Sequence, residues 1–235
     1  MDGKFNIMTN NKTNDNMKKM ALITHYPLNE HHAMFNGKDE MTTVNGDSNN
    51  ITIVTLFTDK DKAMLASQLE KNNIGYINAA ENVDYFVKAF KPIYYNDALD
   101  DVKTEYVLLM DAYDTVVTSF DGMSGVPIYY GKKLVYSAWK YHFPTYFDVD
   151  FGVSEDNQLK YLNSGVVFGK TSDVKSFYNL LSEYIQQNYV ETDSDEKDYE
   201  QYWIYRFLKE NKTIAENVGI DYDEKLVTSM PFDNN

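Results

Sequence analysis

The chain has 235 residues, 43% of them hydrophobic and 15% aromatic, which is enough for one domain with a well-buried core. Its 22 basic and 36 acidic residues give a net charge of −14, and Arg206 is the single arginine, so the charge counts against nucleic acid and an anionic membrane as partners. Cysteine is absent, which excludes disulfide scaffolds, thiolate zinc sites and thiol catalysis and is consistent with a cytoplasmic protein. Apolar runs reach only about five residues, far from the roughly 20 that span a bilayer, and no signal-peptide pattern is seen.

Residues 1–20 are polar and aperiodic and predict a flexible arm; residues 21–235 read as a single α/β domain. The stretch 21–50, with Ala21 to Ile23, three histidines and a polar Gly/Asn/Asp run, predicts an irregular lead-in. Order begins at Ile51–Phe57, a β-branched run expected as a buried strand. Asp59 or Asp61 is placed to cap a helix carrying the stripe Ala63, Met64, Leu65 and Leu69, ending near Asn72–Asn73. Tyr76–Ile77 begins a second strand, Pro92 opens a helix to about Val102, and Tyr106–Met110 forms a third strand. This alternation predicts a mostly parallel sheet with helices on both faces. Beyond it, Lys133–Ser137 reads as a strand, Asn163-Ser164-Gly165 as a turn, and Val166–Phe168 as the next strand. Asp173 is placed to cap a helix to about Tyr189. An acidic loop (Glu191, Asp193, Asp195, Glu196) and a helix from about Asp198 to Leu208 follow, then an apolar piece around Ile214.

Chemistry concentrates in three segments. Asp111-Ala112-Tyr113-Asp114 follows an apolar strand, and ligand sites of open α/β sheets lie at such carboxyl ends. If the chain turns there, the two carboxylates converge, for which a hard cation is the natural reason; a plain turn with an Asp at each end is the other reading. Tyr161-Leu162-Asn163-Ser164-Gly165 offers short polar groups and a glycine for close approach, or simply a turn. Glu200-Gln201 is flanked by Tyr202, Trp203 and Tyr205, which either line a sugar site or fill the core. No P-loop and no G-x-G-x-x-G competes.

Taken in order, these segments resemble the glycosyltransferase domain of the procollagen lysyl hydroxylases and related collagen glycosyltransferases, over roughly residues 51–225. The family's opening Val-Val-Thr strand is matched by Ile53-Val54-Thr55, and its Asp-Ser-Tyr-Asp metal motif by Asp111-Ala112-Tyr113-Asp114. Its Phe-Ser-Ala strand and aromatic-Pro pair are similar to Tyr136-Ser137-Ala138 and Phe143-Pro144. Its Leu-Xaa-Ser-Gly segment is similar to Leu162-Asn163-Ser164-Gly165, and its Asp-Gln to Glu200-Gln201. The family's third metal ligand, a late histidine, has no counterpart among His25, His31, His32 and His142, so either the chain continues past Asn235 or another group completes the shell.

The resemblance implies a GT-A-type nucleotide-sugar-binding sandwich and transfer of a hexose, glucose or galactose, from a UDP-sugar to an acceptor hydroxyl on protein or glycan, hydroxylysine-linked acceptors included. It implies Mn²⁺ on Asp111 and Asp114, uracil on Tyr113, and Thr55 and Lys91 in the nucleotide pocket. Asn163, Ser164 and Gly165 would face the donor sugar, and Glu200 with Gln201 would act at the sugar or acceptor. The alternatives are a non-catalytic UDP-sugar-binding domain and a DNA-modifying glycosyltransferase; the acidic charge counts against the second.

Overall fold

Alternating apolar strands and amphipathic helices build two cores on either side of one sheet. The computed structural model describes residues 23–25, 43–81, 83, 87–141, 148–190 and 195–229; the expected arm 1–20 and the pair Phe143-Pro144 lie outside them. In chain order the elements are β1 (Ile23–His25), β2 (Ile51–Leu56), α1 (Met64–Lys71), β3 (Tyr76–Asn78), α2 (Lys91–Ala98), β4 (Tyr106–Asp111), β5 (Thr115–Val117) and α3 (Val126–Tyr130). There follow β6 (Leu134–Trp139), β7 (Tyr161–Lys170), α4 (Thr171–Asn188), α5 (Glu200–Glu210), α6 (Lys212–Ala215), β8 (Val218–Ile220) and β9 (Val227–Ser229).

Six strands form the central sheet in the order β3-β2-β4-β7-β6-β8. Strands β3, β2 and β4 are parallel, as are β6 and β8, while β7 runs antiparallel to both its neighbours. Side-chain alternation along the strands divides the core. Val107 and Leu109 of β4 pack with Tyr95 of α2, Phe177 and Leu181 of α4 and Trp203 of α5. Leu108 and Met110 pack with Leu65 and Leu69 of α1, Val126 of α3 and a second small sheet. The expected α/β class, a mostly parallel sheet with helices on both faces, is the architecture found.

The small sheet, order β5-β1-β9, places β1 antiparallel to β5 and parallel to β9. Part of the expected lead-in is therefore ordered, with Ile23 fully buried. Gln68 of α1 closes the other side of β5: its amide donates to Val117 O at 2.7 Å and accepts from Val117 N at 2.9 Å.

Several boundaries differ from the sequence expectation for local reasons. Asp59 caps a 3₁₀ turn, Lys60–Lys62, rather than α1. Helix α2 takes in Lys91 ahead of Pro92 and stops at Ala98. Asp173 lies within the first turn of α4, with Lys170 at the cap position. A 3₁₀ turn, Asp195–Asp198, precedes α5, which starts at Glu200. Three-residue strands such as β5, β8 and β9 are too short to carry a period-2 signal, so their pairing partners decide them.

The main correction concerns Asn163-Ser164-Gly165. It is no turn but the interior of the ten-residue strand β7. Against β6, register passes from Tyr136↔Val167 to Ser137↔Asn163, so Ser164, Gly165 and Val166 are extra residues opposite one peptide step. Such a bulge re-aims side chains and is frequent beside active sites.

Candidate active site

The site is assembled where β4 ends, β7 bulges and α5 begins. The turn after β4 is fixed from both sides: Leu65 N donates to Ala112 O at 3.0 Å, and Thr115 Oγ1 donates to Asp111 O. It carries Asp111 and Asp114 into one cleft, where the structure brings them together with Lys91 and Glu200. The cavity is about 270 Å³ and is also lined by Tyr113, Lys88 and Tyr199. Sequence reasoning missed Lys88 and Tyr199, because an exposed lysine and tyrosine carry no periodic signal; Lys88 Nζ sits 4.5 Å from the Tyr199 ring centroid.

Lys91 links the segments. Its ammonium donates to Asp111 Oδ1 and, at 3.1 Å, to Glu200 Oε1, across 20 and 109 residues of sequence. Its side chain is 8% exposed. Burial alone would lower its pKa, but Asp111 and Glu200 outweigh burial and hold it well above the ordinary lysine value. Asp111 shows the opposite balance. Crowding by protein atoms pushes its carboxyl up to about 6, Lys91 opposes this, and Asp114 and Glu200 add to the rise. One third of that side chain still reaches solvent through the cleft.

The β7 bulge lies behind the lining and holds Glu200 in place. Ser164 Oγ donates to Glu200 Oε1 at 2.9 Å, and Ser164 N donates to Gln201 Oε1 at 3.2 Å. Gln201 is thus a buried anchor between α5 and β7, not a group presented to the cleft. Asn163 Oδ1 accepts from Gly165 N at 2.7 Å and from Ser137 Oγ at 3.0 Å. Glycine at 165 leaves room for two side-chain ends: a Cβ there would lie 2.9 Å from Asn163 Oδ1 and 3.0 Å from Asp111 Oδ2 and would make them shift.

Two further expectations resolve differently. Tyr113 lines the cleft, its hydroxyl accepting from Thr58 N at 3.2 Å and Asp59 N at 3.3 Å, which fixes the ring. Thr55 does not reach the cleft. It is fully buried, and its hydroxyl donates to Met110 O at 2.9 Å, tying β2 to β4. The aromatics of α5 are core: Tyr202, Trp203 and Tyr205 are buried, and Tyr205 OH accepts from Leu162 N at 2.7 Å.

Asp111 and Asp114 are the cleft carboxylates that could hold a hard divalent cation. Asp111, Asp114 and Glu200 outnumber Lys91 and Lys88 in the cleft, and the glycine cradle leaves Asp111 Oδ2 room. Among the described residues no three His, Asp or Glu side chains converge as a metal site. Asp221, buried at the end of β8, is no third ligand: its two oxygens accept from Tyr130 OH and from the amides of Lys225, Leu226 and Val227. A larger cavity of about 540 Å³ lies at the other end of α5, lined by Lys132, Lys209, Lys212, Asp148, Asp150 and Glu216; Lys132 and Lys209 there donate to the main-chain carbonyls of Glu216 and Asp148.

No known family profile and no curated protein matches the chain. Among solved structures, a glycosyltransferase involved in glycosylation of the major capsid of PBCV-1 aligns at 15% identity over 72% of this chain and 81% of its own, with a TM-score of 0.41. The 4-diphosphocytidyl-2C-methyl-D-erythritol synthase from Anaerococcus prevotii aligns at 14% identity over 80% and 92%, with a TM-score of 0.37. The functional reading therefore rests on the cleft itself. Among the described residues no helix is long and apolar enough to cross a membrane.

Proposed function

We propose that this chain is a metal-dependent glycosyltransferase that moves a hexose, glucose or galactose, from a UDP-sugar to an acceptor hydroxyl, as the resemblance to collagen glycosyltransferase domains implies. One observation carries the reading. Lys91 joins Asp111 at the end of β4 to Glu200 at the start of α5, with Ser164 of the β7 bulge on the same carboxylate. A purely structural ion pair needs neither a third acidic group nor a cleft beside it; Asp114 and the cavity supply both.

Asp111 and Asp114 would hold Mn²⁺, with the donor diphosphate completing the shell, as hard cations bound by one or two carboxylates commonly require. When bound, the cation stabilises the charge that grows on the departing diphosphate. Tyr113 offers its fixed ring to the uracil, and Asn163 and the Gly165 backbone border the position of the donor sugar. Glu200 has one oxygen held by Lys91 and Ser164, which orients the other toward an incoming hydroxyl as hydrogen-bond acceptor and base. Lys91 positions both carboxylates.

The test is release of UDP from UDP-glucose and UDP-galactose with Mn²⁺. Release with at least one donor, lost on chelation and lost in Asp111→Ala and Asp114→Ala while the fold persists, supports the reading. A second reading, a domain that binds UDP-sugar without transferring it, is favoured by the two-carboxylate metal set among the described residues. Mn²⁺-enhanced UDP binding without any release would select it, and absence of both would overturn both readings.

A further inference from the structure

The sheet order lays out the strands beside the cleft as a line. Tyr113 and Asp111 follow β4, the Asn163–Gly165 bulge lies on β7, and β6 comes next. Base, diphosphate and donor sugar occupy the first part of that line in the reading above. That reading leaves the β6 side to the acceptor.

That side ends in aromatic rings. Trp139 and Tyr161 are directly opposed as the last pair of the β6–β7 ladder. They lie two residues beyond the Ser137↔Asn163 pair, on the same face of the sheet and roughly 7 Å further along the strands. Both are only partly buried, and neither belongs to a core cluster of buried residues. Tyr141 extends the patch, with its ring 5.3 Å from that of Trp139 at 85° and 49% of the residue exposed. The other tryptophan of the chain, Trp203, is 1% exposed in the core. Lysines lie over two of the rings: Lys140 Nζ is 5.1 Å from the Tyr141 centroid, and Lys160 Nζ, ion-paired with Glu155 Oε2 at 2.6 Å, is 5.8 Å from that of Tyr161.

We propose that Trp139 and Tyr161 form the acceptor platform and that the acceptor they bind is a neutral sugar ring, the terminal hexose of a glycan. The C–H face of a hexose stacks on the negative face of an aromatic ring. The inference rests on the glycosyltransferase reading for its catalytic meaning, but sugar binding at Trp139 is measurable without turnover.

The experiment titrates the full chain with lactose and with cellobiose, in Trp203→Phe so that Trp139 is the sole tryptophan reporter. The expected result is a saturable change in emission with at least one disaccharide, and an affinity lowered by ~10-fold or more in Tyr161→Ala, as the loss of one stacking partner allows. Proton NMR saturation transfer to the same sugar repeats the comparison for Trp139→Ala and Tyr161→Ala in the native background, so failure of one variant to fold leaves the other decisive. No binding of either disaccharide, or undiminished binding in both variants, overturns the platform. Preferential binding of a hydroxylysine peptide overturns the acceptor class. Sugar binding that depends on Trp139 in a protein that releases no UDP would leave the platform standing and overturn the transferase reading alone.

Discussion

Lys91 neutralises one of three carboxylates in the cleft from a position water hardly reaches. Removing one partner of a buried ion pair costs roughly 3–5 kcal/mol, and less here because Asp111 is one-third exposed. Lys91→Met is expected to lower the melting temperature of the unliganded protein, and Mn²⁺ to restore more stability in the variant than it adds to the wild type. Thermal unfolding with and without Mn²⁺ decides; equal metal effects in both proteins would mean that Lys91 does not share its position with the cation. At Glu200 the expected change is catalytic. Glu200→Gln keeps the hydrogen bond from Ser164 and removes the charge, so turnover should fall at least ~100-fold, the lower range for a positioned base, while UDP affinity is kept. Steady-state kinetics beside calorimetry separates this from a helix-start role, worth about 0.3–1 kcal/mol of stability and no turnover.

At the scale of elements, β7 decides how the site is shaped. Gly165→Ala brings a methyl group against Asn163 Oδ1 and Asp111 Oδ2, so Mn²⁺-dependent UDP binding is expected to weaken with only a modest fall in stability. Calorimetry of Mn²⁺ with UDP checks it, and an unchanged affinity would reduce the glycine to a packing need. The sequence made β2 and β4 legible because continuous apolar runs, β-branched in Ile51–Leu56 and leucine-rich in Tyr106–Met110, are strong local signals. It misread β7, because Asn-Ser-Gly is turn chemistry wherever pairing partners are unknown, and here two neighbouring strands override it. Thr55 shows the complementary failure. A polar residue in a strand next to a site reads as a ligand group, yet its hydroxyl is taken by Met110 O inside the sheet. Lys91 was legible as a pocket residue only through its resemblance; its bond to Glu200 spans a separation that no sequence window covers.

For the whole molecule, Asp221 joins the two sheets. Its backbone amide donates to Tyr136 O beside β8, while its carboxylate gathers the amides that lead into β9. Burial pushes its carboxyl up to about 6, against the hydrogen bonds from Tyr130, Val227, Leu226 and Lys225. The folded state therefore holds a proton more tightly than the unfolded chain, whose aspartate titrates near ~3.9, and this group's contribution to stability falls as pH rises from about 4 to about 6. Asp221→Asn should flatten that part of the pH profile of unfolding. It should also lower stability at pH 7 by about 1–3 kcal/mol, since amides bound to the lost oxygen are left unsatisfied. Chemical denaturation across pH tests both; a slope that survives the substitution would assign it to Asp111 instead.

The small sheet has a consequence for synthesis on the ribosome. Strand β5 begins one residue after Asp114 and is held by β1, whose other edge is completed by β9. A two-stranded ribbon of three-residue strands is marginal by itself. The backbone that sets Asp114 therefore gains its full support only when residues 227–229 have left the exit tunnel, long after Asp111 and its strand are available to fold. Vectorial folding of this chain finishes beside the turn that carries Asp111 and Asp114, and a nascent chain arrested before Val227 should expose the edge of Ile23–His25 that pairs with β9 to rapid hydrogen exchange.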